Sequence, residues 1–183
     1  EGAWAPSLDD EEALGVVAEA IDRAADVETR IGLDVAASEL WDEGAGAYVY
    51  GDTTRDTDEQ IEYVESLVRE GGLVYVEDPL CEDDFEGFAR LTERLADTDT
   101  LADGADLFVT NVDRIERGVI AGAANPVLIK PNQLGTVPGA YDRLPTAAHP
   151  GYRAVIAHRS GSPADATLAP PADASLLRSR NTM

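Results

Sequence analysis

Residues 73–79, LVYVEDP, open as a β-rich apolar run and close on two adjacent carboxylates and a proline. A nearly continuous apolar run belongs to a strand covered on both faces, as in a parallel sheet between helices. Its end at Glu77-Asp78 therefore sets charged groups at the carboxyl edge of such a sheet, where parallel β/α folds build their sites.

Working outward, the same alternation recurs. Upstream, Thr57 and Gln60 form a capping-box pattern ahead of Ile61, Val64, Leu67 and Val68, predicting a helix to about Glu70 that Gly71-Gly72 stops. Before it, an excursion around AYVYG follows a short strand holding Ile31 and Leu33 and ending at Asp34. Residues 7–25 begin with Ser and Asp caps and set Leu14, Val17, Ile21 and Ala24 on one helical face.

Downstream, Asp83-Asp84 opens a helix with Phe85, Phe88, Leu91 and Leu95 at helical spacing. The run DLFVTN, residues 106–111, reads as a strand, residues 113–120 as a helix, and PVLIKPN and GYRAVIAHRSG as two more strands. Repeated strand and helix with apolar strands predicts an α/β fold, for which a doubly wound sheet and a barrel both fit. Asp34, Glu77, Lys130 and His158 share one feature: each closes a strand at its carboxyl end. Beyond Ser160, prolines interrupt the chain and no helix is predicted.

Composition narrows the chemistry. Acidic residues outnumber basic ones 36 to 14 over 183 residues, for a formal net charge of −22. Such a surface repels nucleic acid and anionic membranes and suits a protein adapted to high salt, where screening relieves the repulsion. Cys81 is the only cysteine, so no intrachain disulfide forms and a reducing cytoplasm is expected. No run approaches the roughly 20 apolar residues of a membrane span. Lys130 is the only lysine among the 14 basic residues. Where arginine otherwise serves as the cation, a retained lysine marks a place that needs an amine able to lose its proton.

Two carboxylates on successive strand ends suit a hard divalent cation such as Mg²⁺, and a lysine beside that cation would act as a base. Proton abstraction next to a substrate carboxylate is the reaction this set predicts. Residues 97–104, DTDTLADG, miss the spacing of a calcium loop, since Leu101 takes the fifth position and the glycine falls two places late. No phosphate-binding loop, dinucleotide fingerprint or cysteine-histidine cluster is present.

The stretches EGAWAPSLDDEEAL, IGLDVAASE, VEDPLCEDDFEGF, DLFVTN, LIKPNQLGT and AHRSG occur in that order over residues 1–161. Together they resemble the C-terminal barrel domain of the enolase family, in a haloarchaeal type. The resemblance implies an incomplete TIM-like barrel over residues 1–161, followed by a divergent, irregular tail over 162–183. It implies dehydration of 2-phosphoglycerate to phosphoenolpyruvate with Mg²⁺, in glycolysis. Glu1 would assist departure of the hydroxyl, Lys130 would take the carbon-2 proton, and Asp34 and Glu77 would be metal ligands. His158, Arg159 and Ser160 match the segment that closes on substrate, with the Arg-Ser pair on its phosphate. Complete members commonly dimerise, so a homodimer is expected.

This sequence also departs from the family pattern. Ala105 stands where the third metal ligand is expected, and Asp106 matches the residue after it. Asp103, expected in the preceding loop, is the acidic residue within reach of that place. Gapless continuation puts Asn181 at the place of a second active-site lysine. The N-terminal capping domain and first barrel strands have no counterpart, so the chain is expected to be a fragment. The alternative is a non-catalytic remnant or interaction protein.

Overall fold

The structure, a computed structural model, describes residues 5–24, 28–129 and 153–156. Helix α1 (Asp10–Arg23) is followed by strand β1 (Gly32–Asp34) and a 3₁₀ turn, Ala37–Leu40. A small antiparallel sheet comes next, β2 (Trp41–Asp42), β3 (Ala47–Tyr50) and β4 (Thr53–Arg55), and it accounts for the excursion around AYVYG. Helix α2 (Thr57–Gly71), β5 (Tyr75–Glu77), α3 (Phe85–Arg94) and β6 (Leu101–Asp103) then alternate. Helices α4 (Ala105–Phe108) and α5 (Val112–Ala121) lead to β7 (Pro126–Ile129), which pairs in parallel with β8 (Arg153–Ile156).

Strands β1, β5 and β6 form one parallel sheet in that spatial order, with sequential strands adjacent in space. Asn125 ties β6 to the start of β7: its Oδ1 accepts the Ala102 N–H at 2.9 Å and its Nδ2 donates to the Thr100 carbonyl at 3.0 Å. The described parallel strands fall into this three-stranded sheet and the separate β7–β8 pair, and a closed barrel of the TIM type needs more strands than these.

The core lies between the sheet and its helices. Val76 and Ala102 point outward from β5 and β6 and meet Ile61, Val64, Leu67 and Val68 of α2 and Phe88 and Leu91 of α3, all buried. Each such aliphatic or aromatic side chain contributes about 1.5–3 kcal/mol on burial. Gly72, at φ +59°, ends α2 in the left-handed cap expected of Gly71-Gly72.

Two expectations need correction. The capping box of α2 lies one residue earlier, with Asp56 as cap and Glu59 reaching back, at 2.9 and 3.0 Å. Gln60 is instead fully buried, and its Nε2 donates to the Tyr50 hydroxyl and the Pro79 carbonyl at 2.9 and 3.0 Å. Second, DLFVTN is not a strand. Its first residues lie in α4, Val109 and Thr110 adopt φ of +40° and +54°, and the strand is the preceding Leu101–Asp103. The Phe108 and Val109 N–H groups donate back to the Gly104 and Ala105 carbonyls at 3.0 and 2.9 Å, which closes a helical turn instead of a strand ladder. Helix α1 forms where the sequence predicts it and buries no residue among those described: Leu14 packs on the core, and Val17 remains 45% exposed. The proposed boundary at residue 161 falls outside the described residues.

Candidate metal-binding edge of the sheet

Asp34 and Glu77 are register partners at the ends of β1 and β5, and Glu77 is in turn the register partner of Asp103 at the end of β6. Three acidic residues thus stand in one row across the carboxyl edge of the parallel sheet. Asp34 is exposed, Glu77 half-buried and Asp103 fully buried. The Asp34 Oδ1 accepts the Ala36 N–H at 3.1 Å, which turns the chain sharply away from the strand. Asp103 is a strand residue rather than part of a loop, and strand alternation puts it on the same sheet face as Glu77.

Beneath this row lies Tyr75, two residues before Glu77 and so on the same face. Its hydroxyl is 3.0 Å from Glu77 Oε2 and 2.8 Å from Asp103 Oδ2. Burial, reinforced by the Asp103 and Glu77 charges, pushes the phenol well above its ordinary range, so it stays an O–H donor. Its register partner on β1 is Gly32, where a Cβ would meet the Tyr75 Cβ at 3.3 Å.

Asp78 explains why the strand ends in two acids. It is 5% exposed, with φ +45°, and joins three segments: its N–H donates to the Asp103 carbonyl, its carbonyl accepts from Ala37, and its Oδ1 accepts the Asp106 N–H. Burial, with the Asp106, Glu77 and Asp103 charges adding to it, pushes the Asp78 carboxyl up to about 8, although the Asp106 N–H works the other way. Glu77 thus faces the site while Asp78 braces the loop behind it.

Ala105 is 2% exposed at the start of α4 and brings no oxygen donor. Among the described residues no group of three or more His, Cys, Asp or Glu side chains is placed to hold an ion. Mg²⁺ needs no such cage, since it is commonly held by one or two carboxylates with waters and substrate oxygens completing its shell. Asp34 and Glu77, hard oxygen donors on neighbouring strand ends, fit that pattern. Glu1, Lys130, His158, Arg159, Ser160 and Asn181 lie outside the described residues.

Asp34 and Glu77 stand at strand ends as the sequence predicts, whereas Tyr75 had no assigned role and Asp78 and Gln60 have different roles from those expected. The i, i+2 spacing of Tyr75 and Glu77 was the available signal for Tyr75.

A parallel β/α sheet with acids at its carboxyl edge defines an α/β protein of the class that builds its sites at strand ends. Residues 1–175 match the family model for the enolase C-terminal TIM barrel domain, and the chain belongs to that family. It is similar to the enolase of Halorubrum lacusprofundi (54% identical over 172 residues, 92% of this chain and 43% of that protein). It is likewise similar to the enolases of Natronomonas pharaonis (55%, over 92% and 42%) and Methanothermobacter thermautotrophicus (44%, over 92% and 42%). The chain thus spans less than half the length of these relatives.

Proposed function

We propose that this chain carries the barrel portion of an enolase-type lyase site, acting on 2-phosphoglycerate with Mg²⁺ in the cytoplasm. The observation that carries the reading is the pairing of Asp34 with Glu77 at the carboxyl ends of adjacent parallel strands. Asp34 and Glu77 would hold the cation, which when bound supplies neutralisation of charge developing on the substrate carboxylate.

The remaining roles follow the family resemblance. Lys130 takes the proton from carbon 2, and a double bond forms to carbon 3 as its hydroxyl leaves. Glu1 gives that hydroxyl a proton, so the products are phosphoenolpyruvate and water. Arg159 and Ser160 hold the phosphate, and His158 belongs to the segment that closes on it. Lys130 and His158 follow soon after Ile129 and Ile156 in the sequence, the last residues of the parallel strands β7 and β8. A homodimer is part of this reading.

Titration calorimetry with Mg²⁺ and 2-phosphoglycerate tests it. Each ligand should tighten the other's binding in the parent chain, and Asp34→Asn or Glu77→Gln should remove that coupling. Independent or absent binding would sink the reading. One observation favours a second, non-catalytic reading: Ala105, at the start of α4, has no carboxylate where the family pattern has a metal ligand. A folded chain that binds neither ligand would support it.

A further inference from the structure

The Tyr75 hydroxyl touches Glu77 Oε2 and Asp103 Oδ2, so it joins two members of the acidic row. The connection is built into the sheet. Successive same-face residues on a strand are separated by roughly 6–7 Å, about the reach of a phenol lying along the strand. Gly32, beside Tyr75 on β1, leaves the ring room to lie that way. Asp103 is the acidic residue at the end of β6, whereas Ala105, after it, has no side-chain oxygen.

We propose that Tyr75 is a positioning residue of the candidate cation site, its hydroxyl anchoring the Glu77 carboxylate to the buried Asp103. The assignment rests on the proposed role of Glu77 as a ligand. A carboxylate that binds a cation gains affinity when a neighbouring donor removes its rotational freedom before binding, and losing such a partner typically costs 10–100-fold. Tyr75 supplies one proton, which the Glu77 and Asp103 carboxylates share, so the hydroxyl holds the two together. Through this bridge Asp103 acts on the site without needing the position held by Ala105.

The test is a Mn²⁺ titration followed by electron paramagnetic resonance, with Mn²⁺ as a probe for a hard divalent cation. It uses the full chain, Tyr75→Phe, Asp103→Ala and Glu77→Gln, with thermal unfolding of each. Tyr75→Phe keeps the ring, and it should weaken Mn²⁺ binding about 10–100-fold with the unfolding midpoint nearly unchanged. Asp103→Ala should move affinity in the same direction. If Glu77→Gln abolishes binding but Tyr75→Phe leaves it unchanged or tightens it, the positioning role is overturned and the ligand role of Glu77 stands. If Tyr75→Phe loses Mn²⁺ only in step with lost folding, Tyr75 is structural and the inference also fails. A folded parent chain that binds no Mn²⁺ overturns the Glu77 ligand assignment and this inference together.

Discussion

The Asp78 Oδ1 accepts the Asp106 backbone N–H at 3.0 Å, so two segments 28 residues apart meet directly behind the acidic row. This contact holds the start of α4 against the loop that follows β5. Asp78→Asn keeps an acceptor and tolerates the left-handed backbone, whereas Asp78→Ala has neither property. Asp78→Ala should therefore be less stable than Asp78→Asn by about 1–3 kcal/mol in denaturant unfolding at neutral pH. Equal stability would mean the bond carries no net energy.

The same residue gives a pH test. An acid raised in the fold from 3.8 to about 8 favours folding at low pH, and that contribution is lost as pH rises through this window. Without divalent cations, the parent should lose stability relative to Asp78→Asn between those limits. Parallel pH profiles would contradict the buried, raised carboxyl.

Glu65 has the opposite sign. Burial works against its charge, but hydrogen bonds from Arg69 and Arg94, at 2.9 and 2.6 Å, overcome that and hold its carboxyl below the ordinary 4.5. Its contribution is full above the ordinary value and is lost as pH falls through the lowered one. Glu65→Gln should cost about 1 kcal/mol at neutral pH and low salt, less in concentrated KCl, and nothing in strong acid. A salt-independent difference would remove the ion pairs as its cause.

Gly118, in the middle of α5, reverses the usual rule for helical glycine. Alanine in a helix interior ordinarily gains about 1 kcal/mol over glycine. Here a Cβ would stand 2.3 Å from Cε1 of the fully buried Phe108. Overpacking costs about 1–3 kcal/mol, so Gly118→Ala should lower the unfolding midpoint by a few degrees. A raised midpoint would show that Phe108 yields without cost.

Much of this was legible in the sequence, for reasons that differ by element. Asp34 and Glu77 stood out because an apolar run stops abruptly at each, and the fold keeps both at strand ends. The α2 start was misplaced by one residue because Asp56-Thr57 and Glu59-Gln60 offer two nearly equal caps. Partners distant in sequence, Tyr50 and Pro79, decide between them by claiming Gln60. DLFVTN has strand-forming residues, but its N–H groups bond back to the Gly104 and Ala105 carbonyls, a pairing that propensity does not record. The true strand, Leu101–Asp103, was hidden in a polar stretch because its inner-face residue is an aspartate. Asp103 and Tyr75 become a pair only when β5 and β6 align, which no local pattern records.

The most direct test of the central claim is ultraviolet detection of phosphoenolpyruvate formed from 2-phosphoglycerate by the purified chain in concentrated KCl. The account predicts turnover that requires Mg²⁺ and disappears in Lys130→Ala. No turnover from a chain shown to be folded, with both Mg²⁺ and substrate present, would contradict it and leave only the family membership standing.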